Sequence, residues 1–210
     1  MNIIDYYFWI NSDWAYLGAD RLEGIAARYG VKIRYKPVDL IDVYSRTGGI
    51  PLVQRSHERQ AYREAELQRW MRRLNMSINI TPRHMCPNGD LASRFTIASE
   101  QLGLNVALLS KAILEAEWCH EQDISDSHVL LEAAEKLGLP GERIMQRALM
   151  DDMNAIYRKY TDEAVAHGVF GSPSYVFKGG LYWGQDRLEF LEEAVAEALQ
   201  EKRKQPQSAV

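Results

Sequence analysis

Residues 3–10 are apolar or aromatic apart from Asp5 and do not alternate strictly, the pattern of a strand covered on both faces. Ser12 follows at a helix N-cap position. Leu22, Ile25, Ala26 and Tyr29 then recur at helical spacing until Gly30 stops the run. Val31, Ile33 and Tyr35 alternate with Lys32, Arg34 and Lys36, which is a strand at period two. The opening segment therefore predicts a β-α-β unit.

From Ser56 to His167 the period changes, and no strand longer than a few residues is suggested. Tyr62, Leu67, Trp70, Met71 and Leu74 form an apolar stripe on one long charged helix. LASRFTIASEQLGL, NVALLSKAILEAEW, SDSHVLLEAAEKLGLP and ERIMQRALMDDMNAIYRKYTDEAVAHG predict further helices. Leu102-Gly103-Leu104 and Leu137-Gly138-Leu139-Pro140 have the form of helix C-caps, with an apolar residue after each glycine.

After Gly168 the strand pattern returns. Ser174–Phe177 and Leu181–Trp183 flank a Lys178-Gly179-Gly180 turn, and Leu188, Leu191, Val195 and Leu199 mark a closing amphipathic helix. Strands at both ends with helices between predict one sheet built from the two ends. The expected division is residues 1–55 and 168–202 as the sheet-bearing domain, 56–167 as an all-helical insertion and 203–210 as a flexible tail.

Composition adds mainly exclusions. The 210 residues are 46% hydrophobic and 26% charged, ordinary for a globular chain. A net charge of −4 gives no electrostatic case for nucleic acid or an anionic membrane. No apolar run nears the roughly 18 residues that span a bilayer, and MNIIDYYFWI lacks a leader's basic start. Only Cys86 and Cys119 occur, without Cys-x-x-Cys spacing, so a reducing, cytoplasmic setting is expected. His84-x-Cys86 and Cys119-His120 are too isolated for a metal site. Arg55, Arg59, Arg63, Arg69, Arg72 and Arg73 interleave with Glu58, Glu64 and Glu66, which predicts a solvated, ion-paired helix surface.

Three places carry candidate chemistry. Ser12, in NSDWAYLG, is a good N-cap and nothing more is required to explain it. Yet a hydroxyl at a strand-to-helix junction shares its position with the exposed amides of a first helical turn, which favour anions and depress thiol pKa values. In GVFGSPSYVF, Ser172-Pro173 opens the returning strand; a cis bond there would turn the Ser172 backbone outward as an edge for an extended peptide. In YWGQDRLEFLEEA, Asp186 and Glu189 fit a capping box, while Gly184, Gln185 and Asp186 also suit the charged end of an amino-acid ligand.

These stretches resemble the thioredoxin superfamily, and more narrowly the 2-hydroxychromene-2-carboxylate isomerases and the kappa-class glutathione transferases. The resemblance runs through SDWAYLGADRLEGIAARYGVKIRYKPVDL and EWCHEQDISDSHVLLEAAEKLGLP to GVFGSPSYVFKGGLYWGQDRLEFLEEA, the last being the most specific. It implies an α/β, thioredoxin-like fold with an inserted all-helical domain of the DsbA and kappa transferase type. It also implies a glutathione-dependent isomerase acting on an aromatic keto-acid.

The roles implied are residue by residue. Ser12 would hold the glutathione sulfur as a thiolate, and Ser172, before a cis Pro173, would pair with its cysteinyl part. Trp183, Gly184, Gln185 and Asp186 would take the γ-glutamyl end. Lys36 would face the substrate carboxylate, aided by Gly48 and Gly49, with Arg83 as a second anion contact; no metal is implied. Relatives often pair, so a homodimer stands beside the monomer. Two positions depart from the pattern: Asp13 where the family commonly has proline, and Gly49 where relatives often have asparagine. Other functions compatible with the same fold are a kappa-like transferase, a DsbA-type oxidoreductase and a non-catalytic binding module. The absence of thiols at positions 12 and 15 speaks against the oxidoreductase.

Overall fold

Ile4, Tyr6, Phe8 and Ile10 turn to one side of the first strand and Tyr7 to the other, and all five are buried. That strand, β1 (Ile3–Phe8), therefore lies inside the sheet, as its unbroken apolar pattern predicts. The structure is a computed structural model describing residues 2–204. β2 (Lys32–Pro37) pairs with β1 in parallel, from Ile3 opposite Lys32 to Phe8 opposite Pro37. From the far end of the chain, β3 (Ser174–Phe177) runs antiparallel to β1, with Tyr6 opposite Tyr175, and β4 (Gly180–Trp183) forms a hairpin with β3. The order β2-β1-β3-β4 joins the two chain ends in one sheet. This is the single sheet with inserted helices that the pattern predicts, and it agrees with the thioredoxin-like fold that the resemblance implies.

α1 (Asp13–Tyr29) begins at Ser12 and ends on Gly30, whose φ of 62° is the left-handed geometry that glycine adopts without strain. α2 (Leu40–Thr47) is missing from the sequence expectation. It is only eight residues long and is started by Asp39, whose Oδ1 accepts the Ile41 and Asp42 amides at 2.9 and 3.1 Å. The inserted helices are α3 (His57–Leu74), α4 (Asp90–Gln101), α5 (Val106–Trp118), α6 (Ser127–Lys136), α7 (Gly141–Ala148) and α8 (Asp152–Ala166). The single helical stretch expected at 142–168 is thus divided at Leu149–Asp151. Gly103 and Gly138 follow the C-caps Leu102 and Leu137 in left-handed geometry, with Leu104 and Leu139 bonding back to Ser99 and Ala134.

Two apolar clusters cover the two faces of the sheet. The larger joins Ile4, Tyr6 and Phe8 to Leu22 and Ile25 of α1 and reaches far into the insertion. The smaller places Tyr7 and Val176 against Val38, Val43 and Ala164. The last turns of α8 therefore pack on the sheet itself. The closing helix, α9 (Leu188–Lys204), returns Leu188, Leu191 and Val195 to the larger cluster. It takes in residues 203–204 of the expected flexible tail, whereas 205–210 of that tail lie outside the described residues. No capping box forms at its start. Gly184 has φ 95°, the chain passes through a 3₁₀ turn at Gln185–Arg187, and the Asp186 carboxylate pairs with Arg187 instead.

Candidate active-site cleft

The exit of β1 and the start of α1 form the floor of a cleft of about 610 Å³, within the roughly 300–1,000 Å³ usual for small-ligand sites. Ser12 and Ser172, 160 positions apart in sequence, both line it. Ser12 is 5% exposed. Its Oγ accepts the Ala15 amide at 3.2 Å, and among the described residues its hydroxyl proton has no acceptor. The N-cap and the candidate donor are thus one group: the oxygen's acceptor capacity starts the helix and its proton remains available to an anion.

The Ser172–Pro173 bond is cis, as the resemblance implies. Ser172 Oγ accepts the Trp9 amide at 2.8 Å, which fixes the second serine across β1. The Ser172 backbone N–H and C=O find no partner among the described residues.

Asp13 and Arg63 change the electrostatic picture most. Asp13 is buried in the first turn of α1, with Oδ1 on the Trp14 amide at 2.7 Å and Oδ2 paired with Arg63 of α3. Burial pushes its carboxyl up, and Arg63, the Trp14 bond and Arg55 pull it back only in part. Arg55 also lines the cleft, donating to the Ile50 carbonyl at 2.9 Å and the Tyr44 hydroxyl at 3.2 Å, both neutral acceptors. Two arginines assigned to a solvated surface thus belong to the cleft. The signal for Arg63 was present in the sequence: positions 63, 67, 70 and 74 share one helix face, so Arg63 continues the stripe of Leu67, Trp70 and Leu74.

Lys36 is corrected in the opposite direction. It is not among the lining residues. Its ammonium is enclosed between Asp5 at 3.2 Å and Glu163 at 2.5 Å and lies over the Tyr7 and Tyr160 rings. Burial pulls its pKa down, but the bonds to Glu163 and Tyr7 leave it above the usual lysine value, so the charge is held and already paired. Arg83 is exposed and also off the lining. Gly48 ends α2 with φ 80°. Gly49 acts through Tyr44: a Cβ there would stand 2.0 Å from Tyr44 Cδ1, so only glycine lets this lining ring keep its place.

The corner at residues 183–186 borders the cis bond without lining the cleft. Gly184 donates its amide to the Pro173 carbonyl at 2.8 Å, and Trp183 packs on Phe170 and fills the space beside Gly171. Trp183 and Asp186 are exposed, but Gln185 is turned inward, its Oε1 accepting from Arg21 of α1 at 2.7 Å. Its side chain braces the corner against α1, while its Nε2 has no partner among the described residues.

Neither cysteine supplies a ready nucleophile. Cys86 lines the cleft, yet burial, then the charges of Glu117 and Asp13, push its thiol up to about 12. Cys119 lies off the lining beside the Tyr16 hydroxyl, and burial raises it too. What the cleft offers instead is a hydroxyl donor at a helix start, two guanidinium groups and the aromatic walls of Trp9, Trp14 and Trp118.

The sequence profile of the DSBA-like thioredoxin domain matches residues 3–196. The chain belongs to this family. Within reach of this DSBA-like domain stands a 2-hydroxychromene-2-carboxylate isomerase of Sphingobium xenophagum, 27% identical over 90% of this chain and 95% of that relative. Glutathione S-transferase kappa 1 of Rattus norvegicus is 23% identical over 90% of this chain and 88% of its own length. A solved 2-hydroxychromene-2-carboxylate isomerase structure superposes with a TM-score of 0.83 at 24% identity, covering 96% of this chain and 98% of that one. The cytosolic disulfide reductase DsbM of Pseudomonas aeruginosa, solved with GSH, gives a TM-score of 0.64 at 16% identity, over 92% and 99% of the two chains. At such identities the structural likenesses speak for the fold.

Proposed function

We propose that this DSBA-like domain is a glutathione-dependent isomerase of the 2-hydroxychromene-2-carboxylate type, acting on an aromatic keto-acid. The observation that carries the proposal is the Ser12 hydroxyl, buried at the α1 start with its oxygen occupied by Ala15 and its proton free to point into the cleft. A thiol-disulfide enzyme needs a sulfur there; this chain has only a hydrogen-bond donor. Relatives named isomerase and kappa transferase along nearly the whole chain support the same class.

The residues present fit glutathione. Ser12 would donate to the sulfur, and the open Ser172 backbone would pair with the extended peptide. The corner at Trp183, Gly184 and Asp186, joined to Pro173 through the Gly184 amide, would take the γ-glutamyl end. Glutathione held there would supply a thiolate nucleophile, whose reversible addition to a conjugated carbon would free a double bond to rotate. The chain's share of this chemistry is electrostatic. Ser12 and the positive end of α1 stabilise negative sulfur, Arg63 offsets Asp13 beside it, and Trp9, Trp14 and Trp118 give an aromatic acid an apolar bed. Because sulfur is returned unchanged, no second thiol is required.

The deciding experiment has two parts. Titration calorimetry with reduced glutathione should show binding, and conversion of 2-hydroxychromene-2-carboxylate, followed by absorbance, should depend on added glutathione. Absence of heat, or conversion that is indifferent to glutathione, refutes the proposal. A stable glutathione conjugate as the only product would assign the chain to the kappa transferase type instead.

A further inference from the structure

Glu117 of α5 is completely enclosed, adjacent in sequence to Trp118 of the cleft wall, and is not itself among the lining residues. Its Oε1 accepts the Cys86 amide at 2.8 Å, while Oε2 is buried without a donor. The charges that bear on it are carboxylates, Asp13 from α1 and Asp123 from the loop after α5. Arg63 of α3 is turned to Asp13 and the Trp118 ring, and His84 stands 3.7 Å from Asp123. Cys86, the group facing it from the cleft wall, is held as the neutral thiol by burial. No cation among the described residues forms an ion pair with Glu117. An ionised carboxylate sealed away with no counter-charge is strongly disfavoured.

The polar groups around it tie the cleft wall to the floor. Asn11, immediately before Ser12, donates Nδ2 to the Pro87 carbonyl at 2.9 Å and also contacts the Glu117 carboxyl. Its Oδ1 is buried without a donor, pressed so near Gly89 that a Cβ there would come within 2.4 Å. Cys86, at φ 52°, holds the left-handed backbone region that a side-chain-bearing residue seldom occupies. The wall at Met85–Gly89 is thus fastened to the floor through Glu117 and Asn11. Protonated, Glu117 Oε2 no longer stands as a buried acceptor without a donor.

We propose that Glu117 stands in the folded protein as the neutral acid, that it is the positioning residue joining the Cys86–Pro87 wall to Asn11 and Ser12, and that its ionisation sets an alkaline limit on the cleft. Burial, with Asp13 adding to it, raises this carboxyl to about 8, which agrees with the geometry. Above that pH a second buried negative charge would stand behind Asp13 and loosen the wall. Its effect on glutathione rests on the function proposed above; its effect on the fold does not.

Three measurements test this. In wild-type protein labelled with ¹³C at glutamate carboxyls, one resonance should titrate near pH 8; titration of every glutamate at ordinary values overturns the proposal. Across about pH 5 to 8 the folded protein keeps a proton that the unfolded chain has released, so wild-type thermal stability should fall with pH and level off above it. Glu117→Gln, isosteric with the neutral acid, should lack that component, and parallel pH profiles for the two proteins overturn the proposal. Glutathione affinity of wild type should weaken by about threefold or more between pH 7 and pH 9 relative to Glu117→Gln. Parallel affinities remove the link to the cleft, whereas failure of wild type to bind glutathione at any pH refutes the proposed function and leaves the first two measurements standing.

Discussion

Removing either member of the Asp13–Arg63 pair should cost far more stability than removing both. Asp13 and Arg63 side chains are 7% and 10% exposed, so each charge has lost most of its water. A contact ion pair about 4 Å apart at an effective dielectric of about 20 gains about 4 kcal/mol, while desolvation costs several kcal/mol per ion. The structure says which effect wins at Asp13: burial leaves its carboxyl above the usual value despite Arg63. The Asp13 charge therefore does not fully repay its own burial, yet it depends on Arg63. Arg63→Met leaves an enclosed carboxylate and should destabilise by about 3–5 kcal/mol at neutral pH. Asp13→Ala leaves a guanidinium that can still reach cleft water, so its cost should sit near the lower end, about 3 kcal/mol. The double variant Asp13→Ala/Arg63→Met should fall within about 1 kcal/mol of wild type, because no unpaired charge remains.

Urea unfolding of the four proteins, followed by tryptophan fluorescence, measures the cycle directly. A pH series adds a sign. Loss of Arg63 raises the Asp13 carboxyl further, so the folded variant holds a proton that its unfolded chain releases. The penalty of Arg63→Met should therefore grow as pH rises through the acidic range and shrink when Asp13 is protonated. Additive single costs, or a penalty that is flat with pH, would refute the reasoning. The same cycle bears on the proposed function, since Arg63→Met also exposes a bound thiolate to an uncompensated carboxylate and should weaken glutathione.

Three further outcomes are expected. Ser12→Ala should lose about 1 kcal/mol, the usual effect of a missing cap, yet reduce glutathione-dependent turnover on the order of 10²-fold; retained turnover would make Ser12 structural only. Lys36→Met should destabilise by about 2 kcal/mol, the lower figure reflecting the partly exposed Glu163, and leave KM unchanged. A tenfold KM increase in a stable Lys36→Met protein would return Lys36 to a substrate contact. Cys86 should resist iodoacetamide at neutral pH until the protein unfolds, since its thiol is held near 12; rapid labelling in the native state would contradict that burial.

The features legible in the sequence are those fixed by near neighbours. Ser12 and Gly30 bracket α1 because capping is chemistry within four residues, and Gly103 and Gly138 end their helices for the same reason. The pairing of β1 with β3 followed from a strand apolar on both faces that needed a second neighbour. α2 went unread because its eight residues carry too few turns for a stripe to declare itself. The box at Asp186 failed because its residue types were right but Asp186 lies inside the 3₁₀ turn Gln185–Arg187, not at an extended N-cap position.

The cleft's charges were misplaced for a different reason, and it is a general one. Lys36 sits on a strand that alternates in the way a half-solvated strand does, and nothing local tells that Asp5 and Glu163 will close over it. Arg63 sits in a run of exposed arginines, and nothing in composition separates it from them. Position does separate it. Arg63 falls on the Leu67, Trp70 and Leu74 face of α3, and Glu117 falls one turn beyond Ile113 on the buried face of α5. A charged side chain on an apolar stripe must be paired, neutralised or functional once the stripe is buried. Arg63 takes the first course with Asp13. Glu117, enclosed with no cation, is left with the second, and the residues that these two touch, Asp13 and Asn11, flank in sequence the hydroxyl on which the proposed chemistry depends.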